Sequence, residues 1–398
     1  MSQHTIMSKV GIIPYGQLSR FLILLNRHLC VIQMNNIVIF CIAALLLLGC
    51  ENSQDKVRIK ISKMEQDVIE SIMGNPQPVC VGRYIFDLPE QFFADGASVY
   101  INKNAIEAQP MPLPAFEQRI RLREQELEKT APLQMIDTPY LKNIHSIPDQ
   151  MNGVIFERNL NNYSPDMARV LEAHYYQNSV AFKTEIKVIN TDAVRYIEEG
   201  KDFPSNVTNK ISELNKLLRK LKGVRENEPI PKGKGLCFNH GFIAGDSLSI
   251  VGSDWGEEDA GIAFTLKQYP KLNFRIKSNN YLKAERTLLE RAEKGALSKL
   301  LRSFGSSVKN LAKGRREIHD AIAEELLIFN ASDENNIQYN FLMYINEKSG
   351  SNSTPFLSAE LRYELSGNDL ADDDLTEKQL LSIWYQLTNS IRIRPGAI

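Results

Sequence analysis

The chain has 398 residues, of which 24% are charged, and its formal net charge is −1. Near-neutrality argues against a nucleic-acid binder driven by electrostatics, and the length exceeds what one ordinary core holds. Two domains are therefore expected.

Taken in chain order, the first strong pattern is the apolar run from Ile37 to Leu48, closed by Gly49-Cys50. It is short for a bilayer span and well sized for the h-region of a signal peptide. It looks like a bacterial lipobox, in which small Gly49 admits the processing peptidase and the Cys50 thiol takes a diacylglycerol before becoming the mature N-terminus. Residues 1–49 then read as a leader, with Met34 as the start that gives ordinary signal-peptide length, although Met34-Asn35-Asn36 lacks the usual Lys or Arg. Polar Glu51 to Asp55 opens a lipidated tether over 50–77. The expected location is the periplasm, with the anchor in the inner or outer membrane.

Of five cysteines, Cys30 and Cys41 leave with the leader and Cys50 carries the lipid. The remaining Cys80 and Cys237 suggest one disulfide in an oxidising compartment. They lack the CxxC or His spacing of metal ligands, and neither a metal nor a cofactor is expected.

Val79 to Ile101 carries short apolar stretches between turn residues. Pro114 opens a charged segment, Ala115 to Lys129, which reads as a helix with a thin buried stripe of Phe116, Ile120 and Leu127. Three strands follow, Val154 to Arg158, Arg169 to Tyr176 and Ser179 to Ile189. In the last, Val180, Phe182, Thr184, Ile186 and Val188 share one face, while Lys183, Glu185 and Lys187 share the other. That alternation marks a half-buried antiparallel strand, with Gln177-Asn178 as its hairpin turn. Val207, Ile211, Leu214, Leu218 and Leu221 then recur at helical spacing.

Pro229 to Gly235 breaks all periodicity and reads as a linker between an N-terminal domain, 78–228, and a C-terminal domain, 236–398. Beyond it Leu272, Phe274 and Ile276 alternate with polar residues, Tyr281 to Phe304 is predicted helical, and Ile337 to Ile345 and Leu357 to Leu365 alternate cleanly. Thr376-Glu377-Lys378-Gln379 is a capping box for a last helix burying Leu380, Trp384, Leu387 and Ile391. Each half runs strands, a helix, three strands and a closing helix. The predicted fold is α+β, two similar domains that each pack an antiparallel sheet with helices.

Gly245-Asp246-Ser247-Leu248 matches the nucleophile block of GDSL-type esterases, but the rest of such a site is missing. No histidine follows His319 to deprotonate Ser247, and Ser366-Gly367-Asn368-Asp369 lacks the leading glycine of the oxyanion block. Ser247 is therefore read as a turn residue, and no catalytic residue is assigned. His145, His174, His240 and His319 form no HxxxH or HExxH pattern.

Three landmarks resemble a known family. They are Cys80-Val81-Gly82-Arg83-Tyr84-Ile85-Phe86-Asp87-Leu88-Pro89, then Gly235-Leu236-Cys237-Phe238-Asn239-His240-Gly241-Phe242-Ile243, and finally Trp384 followed by Ser390-Ile391-Arg392-Ile393-Arg394-Pro395-Gly396-Ala397 at the terminus. Ala323-Glu324-Glu325-Leu326-Leu327 resembles a fourth, with Ala323 where glycine is expected. The likeness is to the immunity proteins that protect bacteria against the fourth family of type VI secretion lipase effectors. It implies a periplasmic binder, not an enzyme, whose two domains grip a cognate lipase one to one and block its active site, while the lipid ties the chain to the membrane. The alternatives are a GDSL-like esterase using Ser247 and a lipoprotein that scaffolds the envelope without a toxin partner.

Overall fold

Two equivalent hairpins organise the chain in a computed structural model that describes residues 61–149, 151–245, 256–295, 298–299, 307–333, 336–366 and 374–398. Residues 61–398 form one compact unit. After a leading helix α1 (Lys63–Met73), the N-terminal half runs β1 (Pro76–Val81), β2 (Tyr84–Pro89), β3 (Phe92–Ile101), β4 (Asn104–Pro110), α2 (Leu113–Lys129), β5 (Leu141–Ser146), β6 (Asn152–Asn159), β7 (Ala168–Gln177), β8 (Val180–Ile189), α3 (Val207–Lys220) and β9 (Leu221–Gly223). The C-terminal half repeats that order as β10 (Gly235–Phe238), β11 (Gly241–Ala244), β12 (Glu258–Leu266), β13 (Leu272–Asn279), α4 (Leu288–Glu293), β14 (Val308–Ile318), β15 (Ala321–Asp333), β16 (Asn336–Ile345), β17 (Phe356–Ser366), α5 (Glu377–Asn389) and β18 (Arg392–Ile393).

Strand order repeats as well. One half is ordered β3-β4-β8-β7-β6-β5 and the other β12-β13-β17-β16-β15-β14, and antiparallel pairing of β3 with β12 joins them into one sheet of twelve strands. Equivalent strands pairing antiparallel at the centre place a pseudo-twofold axis between them. The short strands exchange partners across it, since β18 of the second half completes the β1-β2 hairpin and β9 of the first completes β10-β11. The two α+β halves are thus built alike and interlocked.

Helices α2, α3 and α5 and strands β6, β7, β8, β13, β16 and β17 lie where their periodicity predicts, whereas α1 forms inside the span read as a tether and buries Ile69 and Ile72. Helix α3 buries Val207, Leu214, Leu217 and Leu218. Helix α5 buries Leu380, Ile383, Trp384 and Leu387, and its Thr376–Gln379 capping box is formed. One core joins both halves, with Phe86 of β2 edge-on to Phe264 of β12 and Phe274 of β13, each at 5.9 Å between ring centres.

Three expectations are corrected. Four strands, not three, lie between the helices of each half; β5 and β14 were not expected, and β15 falls on a span read only for its Ala323–Leu327 motif. Among the described residues of the span expected to be helical from Tyr281, the helix labelled α4 covers only Leu288–Glu293; Thr287 caps its start and Gly295, at φ 142°, follows its end. The β7-β8 turn is Asn178-Ser179, one residue later than expected, with both residues at positive φ (54° and 61°). That is the turn geometry whose twist matches a two-residue hairpin.

On the outer face of the N-terminal sheet, α2 covers a layer of buried charge. Glu172 is fully buried and accepts from Arg123 at 2.7 Å, Arg158 at 2.6 Å and His174 at 2.9 Å. Burial pushes its carboxyl up, but those hydrogen bonds outweigh burial and hold it far below the ordinary range. Glu157 behaves alike, held down against burial by Arg169, His145 and Asn143. Depressed carboxylates stabilise above their unfolded pKa of about 4.3, and that contribution is lost as pH falls through the lower folded values. Urea midpoints are therefore expected to drop steeply between about pH 4.3 and 2, and less steeply in Glu172→Gln. Equal slopes would remove Glu172 from the account.

Candidate functional site at the junction of the halves

Landmark residues of the two hairpins and the C-terminal turn converge where these cross, while Trp384 and Glu324-Glu325 form a second cluster between α5 and β15. Cys80 and Cys237, at equivalent positions of β1 and β10, are joined as a disulfide with Cα atoms 5.8 Å apart. Beside them Gly82 and Cys237 exchange backbone hydrogen bonds of 2.7 and 2.8 Å. Gly82 has φ 60°, and a Cβ there would stand 2.6 Å from the Ser278 side chain, so both its conformation and its neighbour require glycine. Gly241 is fixed by space alone, because a Cβ would lie 2.2 Å from the Phe238 ring.

Arg83 is buried and grips Glu258, the first residue of β12, through Nε at 3.0 Å and Nη2 at 2.7 Å. Its Nη1 donates to the Ala397 carbonyl at 2.7 Å. Arg394 is also buried; its two Nη atoms donate to the carbonyls of Pro231, Gly233 and Gly235, and its guanidinium lies over the Phe242 ring. Burial first, and then the Arg83 charge, lower its pKa. Three carbonyl dipoles replace the counter-ion a buried guanidinium needs.

Pro395 and Gly396 explain how the terminus reaches this point. The Ala397 N–H donates to the Arg394 carbonyl at 2.9 Å, and Gly396 has φ 73°. Pro and then left-handed Gly are the central pair of a type II turn. Arg392 pairs with Asp87 at 3.1 Å, tying β18 to β2. Trp384 is fully buried, and its indole N–H donates to Glu325 at 2.8 Å. The same carboxylate accepts from Arg316 and Tyr385. Neighbouring Glu324 accepts from Arg315 and from the backbone N–H of Leu289 in α4.

The chemistry of this hub is cohesive. Arg83 is paired with Glu258 and buried, Arg394 is buried on carbonyls, and among the described residues of the hub no nucleophile stands beside a base. Ser247 and Cys50 lie outside the described residues, as do Gly367, Asn368 and Asp369. His145 and His174 serve the buried charge layer, and His319 meets the Asn389 carbonyl at 3.1 Å. Among the described residues no group of His, Cys, Asp and Glu is placed to hold a metal, and no helix is long and apolar enough to cross a membrane. A cavity of about 340 Å³ opens at the β3-β4 turn, lined by Asn102, Lys103, Lys210, Glu213, Leu217 and Glu257 among others, with no Ser, Cys or His in its wall.

Sequence reading did not reach the roles of Glu258, of Glu325 as the Trp384 partner, or of the 231–235 carbonyls. An isolated glutamate at a strand start carries no local signal, and carbonyls carry none at all.

The disulfide closes a separation of 157 residues. By the loop-entropy model it is worth about 3–5 kcal/mol. Cys80→Ser with Cys237→Ser is expected to lower the unfolding free energy by that order, read from urea curves. A change below about 1 kcal/mol would place the stabilisation in the surrounding hydrogen bonds.

A duplicated α+β protein, interlocked through exchanged strands and carrying its motif residues as internal clamps, is the class these features define. The chain belongs to the Tle cognate immunity protein 4 family, whose N-terminal domain matches residues 77–224 and whose C-terminal domain matches 229–396. Its fold is similar to the apo immunity protein TplEi of the type VI secretion system of Pseudomonas aeruginosa, at 20% identity and a TM-score of 0.65, covering 80% of this chain and 97% of that one. It is likewise similar to a chain in the crystal structure of the Tle4-Tli4 complex, at 20% identity and a TM-score of 0.66, with 81% and 99% covered. TplEi in complex with an "L" peptide aligns at 21% identity and a TM-score of 0.60, with 81% and 99% covered. No curated protein matches the chain significantly.

Proposed function

We propose that this chain is a periplasmic immunity protein that binds a cognate type VI lipase effector one to one and covers its active site. The observation that carries the reading is the match of both family domains, in order, across residues 77–396. A similar fold occurs in a structure named as a Tle4-Tli4 complex, which supports an effector as partner. Inhibition by coverage needs a rigid complementary surface and no reaction, which suits a hub whose Arg83, Arg394 and disulfide tie the halves together. Acylation of Cys50 would hold the inhibitor beside the phospholipid that the effector attacks, raising its local concentration.

The test is survival. Cells directing a cognate type VI lipase effector to their periplasm should lyse alone and survive with this chain, with Ser247→Ala protecting equally. Labelled palmitate should enter the protein and be lost in Cys50→Ala. No complex with the purified lipase at micromolar concentration, together with no protection, would falsify the immunity reading.

A further inference from the structure

Three loops at one end of the N-terminal sheet, those entering β5, joining β6 to β7 and leaving β8, are knotted together by charge. Asp137, 6% exposed, accepts from Arg195 at 3.0 Å and from the Asp166 N–H at 3.1 Å. Asp166 also accepts from Arg195, from the Tyr196 hydroxyl at 2.7 Å and from Lys142 at 3.4 Å. The Leu133 N–H donates to the Asn162 carbonyl at 2.8 Å, closing the first loop on the second. Around this knot stand Leu133, Met135, Ile136, Tyr163, Val194 and Ile197, each between 58% and 87% exposed.

Irregular loops usually carry polar tips, and an apolar cluster held out by a buried ion network is a preorganised contact surface. Its charge setting narrows the occupant. Lys142 and Arg195 at its root are both paired with carboxylates. The exposed rim beyond carries Asp192, Glu198, Glu199 and Asp202 against Lys201. A bilayer site would pair apolar tips with unpaired Lys and Arg, and an acidic rim repels anionic headgroups. A protein surface that is apolar at its centre and basic at its edge fits instead. On the effector-binding reading above, on which this step rests, a lipase supplies such a centre at the opening that admits acyl chains.

We infer that the Leu133–Ile136, Tyr163 and Val194–Ile197 loop tips form the surface that seats on the apolar acyl-chain opening of the lipase effector. Residues 61–398 and the purified cognate lipase effector are the reagents, with calorimetry as readout. Met135→Glu with Ile136→Glu, and separately Val194→Glu on another loop, are expected to weaken binding by about 30-fold or more, as loss of a central apolar anchor does. Ile322→Glu, on an exposed apolar residue of the other half, should leave affinity unchanged, and the melting temperatures of all three should match the parent. Binding within about threefold of the parent in both folded patch variants overturns the assignment while leaving immunity intact, the threefold margin being well under 1.4 kcal/mol. Parent protein that binds phosphatidylcholine–phosphatidylglycerol vesicles, loses this in the patch variants and keeps its lipase affinity makes the patch a membrane contact and overturns it too. Absence of any parent complex overturns the immunity reading itself.

Discussion

Replacing Arg83 by alanine is expected to destabilise the protein by about 3–5 kcal/mol, the range for removing one partner of a buried ion pair. Glu258 is 2% exposed, and Arg83 supplies it with two hydrogen bonds. Without them the buried carboxylate loses its bidentate charged partner. The Ala397 carbonyl loses its donor in the same step. Relief of Arg394, whose guanidinium is disfavoured by the Arg83 charge, returns only part of this. The discriminating comparison is the double variant Arg83→Leu with Glu258→Leu, which removes both charges and should unfold at higher urea than Arg83→Ala. If Arg83→Ala stayed within about 1 kcal/mol of the parent, the hub would not depend on this pair, since that is the scale of one ordinary hydrogen bond.

Legibility in the sequence followed periodicity. Strand β8 and helices α2, α3 and α5 each have one buried and one solvated face, so their residues alternate or recur at the right spacing. Strands β5 and β14 occupy equivalent places, the two outer edges of the long sheet, while inner strand β15 went unread because its Leu326-Leu327-Ile328-Phe329 run does not alternate. The β5 sequence LKNIHS has no fully buried position, and β14 buries only Ile318. An edge exposed on both faces shows no alternation. The exchanged strands β9 and β18 are three and two residues long and leave no pattern at all. Of the hub, the sequence displayed the glycines, cysteines and arginines as motifs. It could not display that Arg83 answers to Glu258, or Arg394 to carbonyls around 231–235, because those partners are brought together only by the pseudo-twofold packing. The apolar loop tips were missed for a related reason, since only exposure separates Met135 or Val194 from core residues of the same type.

Exchange of β9 and β18 makes the two family domains poor candidates for separate life, and cutting the chain should show it. A fragment of residues 61–228 keeps the β1-β2 hairpin but loses β18 from its edge and β12 from the whole length of β3. A fragment of residues 229–398 loses β9 from β11 and the Cys80 partner of Cys237. Both expose open strand edges and the apolar surface that Phe86 shares with Phe264 and Phe274, which is the setting for aggregation. Expressed alone, each fragment is expected in the insoluble fraction or without a cooperative melt. Expressed together, they should re-form one complex with the mass of the intact compact unit, held by the β3-β12, β2-β18 and β11-β9 pairings and cross-linked under oxidising conditions. Protection against the lipase should then require both fragments. A monomeric single half with a sharp melt and full lipase affinity would refute this, and would make the exchanged strands incidental to a one-domain inhibitor. If the halves prove inseparable, the loops of the N-terminal sheet are presented to a partner from a body stiffened by the whole twelve-stranded sheet, so little ordering cost remains to be met on binding.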